Sequence, residues 1–167
     1  MTDEDLAAEQ ALYGQLIRQT LSDHGAFVVE NGPDEHHAIF QMPNQVHAAQ
    51  AVIAGLDLLQ HIAIVRHVRL QAGATPLRVS IGIHTVDAPE NRNNGVGISA
   101  RWEDALPITR RLGELNRQTP FPAVFVTGHT HRWLQQGVGW HIEHLGDSCL
   151  DDSDDKHPVY AILCPMQ

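Results

Sequence analysis

The chain has 167 residues, a formal net charge of −9, 43% hydrophobic and 19% charged residues. That balance belongs to a globular chain long enough to bury a core as one domain, and it excludes an intrinsically disordered segment. The acidic excess argues against a surface built to dock on nucleic-acid phosphates.

Residues 3–23 space Leu6, Tyr13, Leu16, Ile17 and Leu21 near the helical period, which predicts an amphipathic helix. Asp3, Glu4 and Asp5 stand where acidic groups favour a helix N-terminus, and Gly25 is a natural stop. Two short strands follow at 26–30 and 37–42. Asn31-Gly32-Pro33-Asp34 between them has the residue types of a tight turn, so a β-hairpin is expected. Asn44 is placed to cap a second helix, dense in Ala, Val, Ile and Leu, that runs to about Arg69 and is closed by Gly73 and Pro76. Residues 77–86 (LRVSIGIHTV) carry the strongest strand signal; β-branched and largely apolar, they read as a central buried strand. A polar, glycine-containing loop covers 87–98. The next helix is expected over 104–117, with Pro107 near its first turn, where proline is tolerated. Residues 123–126 read as a buried strand, 127–135 as a short helix, and 140–144 and 158–164 as the last strands. The order α-β-β-α-β-α-β-α-β-β predicts an α+β domain with helices packed on a mixed sheet.

No long apolar run and no basic, apolar leader is evident, so neither a membrane span nor a signal peptide is expected. Two cysteines, Cys149 and Cys164, are too few for a disulfide framework and fit a reducing cytoplasm. The twelve histidines raise the question of metal, but their spacing does not build a zinc site. His36 and His37 are adjacent and face opposite sides of a strand, His129 and His131 diverge at a helix start, and His141 and His144 point to opposite strand faces. The run Asp151-Asp152-Ser153-Asp154-Asp155 reads as a solvated loop without the D-x-D-x-D-G spacing of a calcium site. Residues 91–97 (NRNNGVG) do not match a P-loop, and no G-x-S-x-G, Cys–His pairing or kinase signature is present.

Three local sequences, in this order of elements, resemble the class III nucleotidyl (adenylate/guanylate) cyclase homology domain. Leu77-Arg78-Val79-Ser80-Ile81-Gly82-Ile83-His84-Thr85 is similar to the family's LRVRIGIHTG strand. Arg111-Leu112-Gly113-Glu114-Leu115-Asn116 is similar to its ARLQELA helix segment, and WHIEHLGD…HPVYAIL over 140–163 to its terminal strand pair. The resemblance spans about residue 12 to residue 163 and implies a cyclase-like, ferredoxin-like α+β architecture: a mixed, mostly antiparallel sheet with helices packed on it, as one domain over 1–167.

The resemblance also implies a site. In this family two carboxylates hold two Mg²⁺ ions at a dimer interface, an Asn and an Arg stabilise the phosphates, and a Lys with an Asp or Thr selects adenine. The ribose 3′-oxygen attacks the α-phosphate while metal and cations neutralise developing charge. The strand that carries the first metal Asp has no counterpart here. Asp34 falls at the second metal carboxylate, flanked by Pro33 and Glu35 instead of glycines. Arg111 falls at the phosphate-stabilising Arg, but the Asn four residues earlier is Pro107, which offers no side-chain donor. Asp151 falls near the adenine-selecting Lys, a charge reversal. Turn aspartates such as Asp34 commonly bond their own backbone, and Arg110, Arg111 and Glu114 together also read as a solvated helix face. His84 matches the family's strand histidine and reads as structural.

The chain is therefore expected to be a divergent, catalytically inactive cyclase-like domain, a cytoplasmic regulatory or dimerisation module. Its expected partner is itself or another cyclase-type domain, with a nucleotide as a further ligand and neither nucleic acid nor membrane. One alternative is an active adenylate or guanylate cyclase using Mg²⁺ or Mn²⁺ and completed by a missing segment or a partner. Another is a small-molecule sensor using the old nucleotide cleft.

Overall fold

The computed structural model describes residues 2–30, 32, 34–41, 46–86, 98–134 and 139–163. Asn31, Pro33, Asn44, the loop at 87–97 and Cys164 lie outside the described residues. The elements follow the order read from the sequence. They fall into two units, Met1–Val79 and Ser80–Gln167.

In the first unit, helix α1 (Asp3–Asp23) starts on a capping box: Thr2 Oγ1 accepts from the Asp5 amide at 3.1 Å, and the Thr2 amide donates to Asp5 Oδ2 at 2.9 Å. That bond from the Thr2 amide, with the one from its hydroxyl, holds the Asp5 carboxyl below its ordinary pKa. The helix ends in a Schellman motif. Gly25 takes φ +80°, its amide donates to Ser22 O, and the Ala26 amide donates to Leu21 O. Helix α2 (His47–Gln71) ends the same way on Gly73 at φ +76°, with Gly73 N to Leu70 O and Ala74 N to Arg69 O. Between the helices, β1 (Phe27–Glu30) and β2 (His36–Ile39) form the expected antiparallel hairpin, in register Phe27 to Ile39.

Helix α2 requires a correction. By length and composition it is long and apolar enough to cross a membrane, which the sequence reading did not anticipate. Half of that stretch is buried inside the fold, and α1 packs on the helix as on any core helix.

In the second unit, β3 (Ile81–Ile83), β4 (Ala123–Thr127), β6 (Lys156–Leu163) and β5 (His141–Cys149) form a sheet in the order β3-β4-β6-β5. The β3–β4 pair is parallel, spanned by helix α3 (Ile98–Arg117), and the other two pairs are antiparallel. This is the predicted mixed, mostly antiparallel sheet. Strand β4 is buried at every residue and leads directly into the short helix α4 (Gly128–Trp133). The core gathers Leu112, Ala123, Phe125, Leu150, Val159 and Ala161.

Three sequence expectations change here. Only Ile81–Ile83 of the strand-like run pairs, at an edge of this sheet and half-buried, so β4 takes the central place instead. Propensity reports a fit to a pleated surface, whereas position is set by partners, and β3 has a ladder partner in this sheet on its β4 side alone. Helix α3 begins at Ile98, so Pro107 lies in its interior rather than its first turn. Packing of the α3 face that carries Leu112 and Asn116 offsets the lost backbone bond. Strand β5 extends to Cys149 because a bulge between His144 and Gly146, with Gly146 at φ +97°, carries the ladder past the turn-like Gly-Asp.

Candidate functional site

Helix α3 lies so close on β3 that a Cβ at Gly82 would come within 2.6 Å of Leu112 Cβ and the Thr109 carbonyl oxygen. Buried Asn116 then rivets the layer, its Nδ2 donating to Ile81 O at 2.9 Å and Ala123 O at 2.8 Å. This packing sets where Arg111 emerges. Its side chain is 59% exposed and paired to Glu114 at 2.6 Å, one turn along the same helix.

Asp34 lies in the hairpin turn of the first unit, exposed, with Oδ1 accepting from Gln10 Nε2 at 2.6 Å. Asp151 follows β5 in the second unit. Its Oδ1 accepts from the Ser153 hydroxyl at 2.6 Å and the Ser153 amide at 3.0 Å, and Oδ2 meets His157 Nε2 at 3.3 Å. The Ser153 hydroxyl, ahead of its amide and His157, holds the Asp151 carboxyl below its ordinary pKa. Each of the three residues singled out in the sequence thus has a partner within its own unit: Gln10, Glu114, and Ser153 with His157.

The donor set does not fit the two metal ions that the family resemblance implies. Asp34 stands as one carboxylate whose Oδ1 is taken up by an amide donor, and among the described residues no group of three His, Cys, Asp or Glu side chains comes together. A hollow of about 350 Å³ beside the hairpin is lined by Gly25, Phe27, Ile39 and Gln41, which bring no ionisable group to it.

His84 follows β3 and is held by a chain of hydroxyls whose protons can be counted. Thr130 Oγ1 donates to Ile83 O at 3.3 Å, so the 3.2 Å bond between Thr127 and Thr130 takes the Thr127 proton. His84 Nδ1, 2.9 Å from Thr127 Oγ1, is then the donor. The ring ties β3 to β4. His131 stacks on the Tyr160 ring at 4.0 Å, His144 meets the same ring tilted at 4.8 Å, and His129 meets the edge of His84 at 6.1 Å.

Two further clusters escaped the sequence reading. Glu9, 2% exposed, pairs with Arg69 of α2. Gln50 Nε2 donates to His24 Nδ1 at 3.1 Å, which leaves His24 Nε2–H to donate to Asp57 Oδ2 at 3.0 Å. His61 approaches the other Asp57 oxygen at 3.9 Å and bonds Thr20 Oγ1 through Nδ1 at 3.2 Å. The one available signal was Glu9 itself, placed three residues after Leu6 and four before Tyr13 on the apolar stripe of α1.

No protein-family model and no curated protein matches the chain. Among solved structures it is similar to a bacterial light-regulated adenylyl cyclase, at 18% identity and TM-score 0.72 over 97% of this chain and 46% of that one. The chain thus spans under half the length of that protein. It is similar to the adenylyl cyclase CyaB from P. aeruginosa, at 14% identity and TM-score 0.74 over 98% and 84% of the two chains. A dimeric guanylyl cyclase domain from the aquatic fungus Blastocladiella emersonii aligns at 12% identity and TM-score 0.64, over 98% and 86%.

Proposed function

We propose that this chain, which has the fold of the class III adenylyl/guanylyl cyclase domains, acts over 1–167 as one divergent cyclase-like domain that pairs and does not turn over nucleotide. The observation that carries this is in α3. Where the resemblance puts a phosphate-binding asparagine, one turn before Arg111, the helix interior holds Pro107, and Arg111 is bonded to Glu114. A proline presents no side-chain donor to a phosphate, so half of that cation-and-amide clamp is gone. The apolar core of the second unit is complete at the same time. A scaffold kept while its ligand set is lost supports a regulatory or dimerisation role, with a second copy or another cyclase-type domain as partner. The dimeric state of one structural neighbour supports the same partner class. A cytoplasmic location belongs to this reading and rests on cysteine usage, with Cys149 a free thiol.

A second reading, an active cyclase completed by a further segment or partner, is favoured by two retained groups. The Asp34 carboxylate and the Arg111 guanidinium are both solvent-exposed, and exposed pairs such as Arg111–Glu114 are weak enough for a ligand to displace. One experiment separates the two. The chain is melted with ATP or GTP, with and without Mg²⁺ or Mn²⁺, cyclic nucleotide is assayed in the same tubes, and the solution mass is measured across a dilution series. The pairing module gives a concentration-dependent dimer, no product and no metal-dependent shift. Product that Arg111→Ala abolishes establishes the second reading instead. A nucleotide-dependent shift without product identifies a sensor.

A further inference from the structure

Two strands end the four-stranded sheet of the second unit, and their edges are built differently. Strand β5, at one end, carries the devices that keep an edge from pairing: Glu143 and Asp147 within the strand, and the bulge between His144 and Gly146. Strand β3, at the other end, has none of them. From Ser80 to Ile83 it holds no charge, no proline and no bulge, and among the described residues its one ladder is to β4. The main chain of β3 can be assigned to its two sides. Asn116 Nδ2 donates to both Ile81 O and Ala123 O, so those carbonyls point into the gap between β3 and β4. Main-chain groups alternate sides along a strand, so Ile81 and Ile83 turn theirs to β4 and Gly82 turns its N–H and C=O to the open edge. The trans peptide before Ile81 puts Ser80 O on that open side too. Burial falls away at the same place: Val124 and Val126 are 0% exposed, while their register partners Ile81 and Ile83 are only half-buried.

We propose that the open edge of β3 docks β3 of a second copy of this chain, the two strands joining antiparallel about a twofold axis at Ile81. The inference rests on the pairing role proposed above and names the surface that does it. The segment is complementary to itself in this register. Ile81 meets the partner's Ile81 on the axis, Gly82 lies opposite the partner's Ser80, and Ser80 lies opposite the partner's Gly82. Both members of each Ser–Gly pair turn main-chain groups outward, so they exchange two N–H···O=C bonds, and the interface holds four. A slip of one residue sets outward-facing groups against inward-facing ones and loses all of them. The side chains agree with the main chain. On the α3 side, where a Cβ at Gly82 would strike Leu112, the cross-strand neighbours are the two smallest residues of the segment. On the other side Ile81 brings β-branched surface that the pairing covers. The twofold axis uses the β3 edge of both copies, and the edges left over are the defended β5 strands, so assembly stops at a dimer.

Sedimentation of the full chain across a dilution series, joined to cysteine cross-linking, tests this. The wild type should show a concentration-dependent dimer. Ser80→Pro, which removes one outward N–H from each copy on an edge where proline fits, should weaken that dimer at least about tenfold. In a background of Cys149→Ser and Cys164→Ser, Ile81→Cys should give a covalent dimer under mild oxidation. Residues facing each other in a non-hydrogen-bonded antiparallel pair have Cα atoms about 4.5 Å apart, within reach of a disulfide. Ser80→Cys, whose counterpart is Gly82, should not cross-link. A dimer that Ser80→Pro leaves at full strength, or that cross-links equally at both positions, overturns the β3 interface and leaves the pairing role to another surface. A chain that is monomeric at every concentration overturns the second copy as occupant, and self-pairing with it. Where a variant fails to fold, the wild type decides by hydrogen exchange. Peptides covering Ser80–Ile83 should exchange at least about fivefold more slowly in the dimer than in dilute monomer, and exchange that ignores concentration overturns the proposal. Cyclic nucleotide made by the dimer cross-linked at Ile81 would end the no-turnover reading and leave the interface standing.

Discussion

The two units both bury an apolar interior but differ in the polar groups they bury with it. In the second, Leu112, Phe125, Leu150, Val159 and Ala161 meet in an apolar core, and the polar groups among them are saturated, Asn116 with two carbonyls and the Thr127–Thr130 pair with each other and Ile83. In the first, Tyr13, Leu21, Val52, Leu58, Leu59 and Ile62 are buried as well, and a nearly fully buried carboxylate, Glu9, and a buried hydroxyl, Thr20, add polar pairs between its two helices. Stability that comes from area is lost by creating cavities, whereas stability that comes from pairs is lost by orphaning one member. The largest expected effect therefore lies in the second unit. Phe125→Ala removes a ring that is 2% exposed and should cost about 3–5 kcal/mol in denaturant unfolding. A cost under about 1 kcal/mol would erase the contrast, because it would mean that the β4 core is not close-packed.

The next effect sharpens the contrast from the other side. Glu9→Ala leaves Arg69 without its carboxylate, and the full penalty for orphaning a buried charge is discounted because Arg69 is 39% exposed, giving about 1–3 kcal/mol. The double change Glu9→Leu with Arg69→Leu removes both charges and supplies apolar surface, and it should restore most of that loss or exceed wild type. A double mutant as weak as the single one would show that Glu9 matters through packing volume and not through its pair. The denaturant midpoint of the three proteins decides between them.

How much of this was legible in the sequence depends on how local each cause is. The order of elements, the stops at Gly25 and Gly73, and the buried strand at Ala123–Thr127 all follow from short-range pattern and backbone freedom, and they were readable. The edge position of β3 was not, because a β-branched run has the same appearance wherever its partners lie. Pro107 misled for a similar reason: the local rule places proline in a first turn, while α3 continues N-terminal of it under tertiary packing. The bulge that lengthens β5 hid behind a Gly-Asp that imitates a turn. At the candidate site, residue types were legible and partners were not. Nothing in the sequence joins Asp34 to Gln10, 24 positions away, while Asp151 with Ser153, and Arg111 with Glu114, lie within three residues and were within reach of local rules.

The smallest expected effect concerns Tyr13, where the first unit buries a phenol 3% exposed beside its polar pairs. Burial pushes the phenol pKa up from 10.0, and the nearby Arg66 charge only partly opposes it. The sign follows from which state holds the proton longer. With the folded value above the unfolded one, the contribution is fully present below pH 10 and is lost as pH rises through the folded value, because the unfolded chain ionises first. Wild type should therefore lose thermal stability between pH 9 and pH 11 by more than Tyr13→Phe does, with the two curves parallel below pH 9. Equal alkaline losses would place the phenol in contact with water. The first unit's interior would then be wet at this point, and its contrast with the dry core around Phe125 would rest on solvation as well as on pairing.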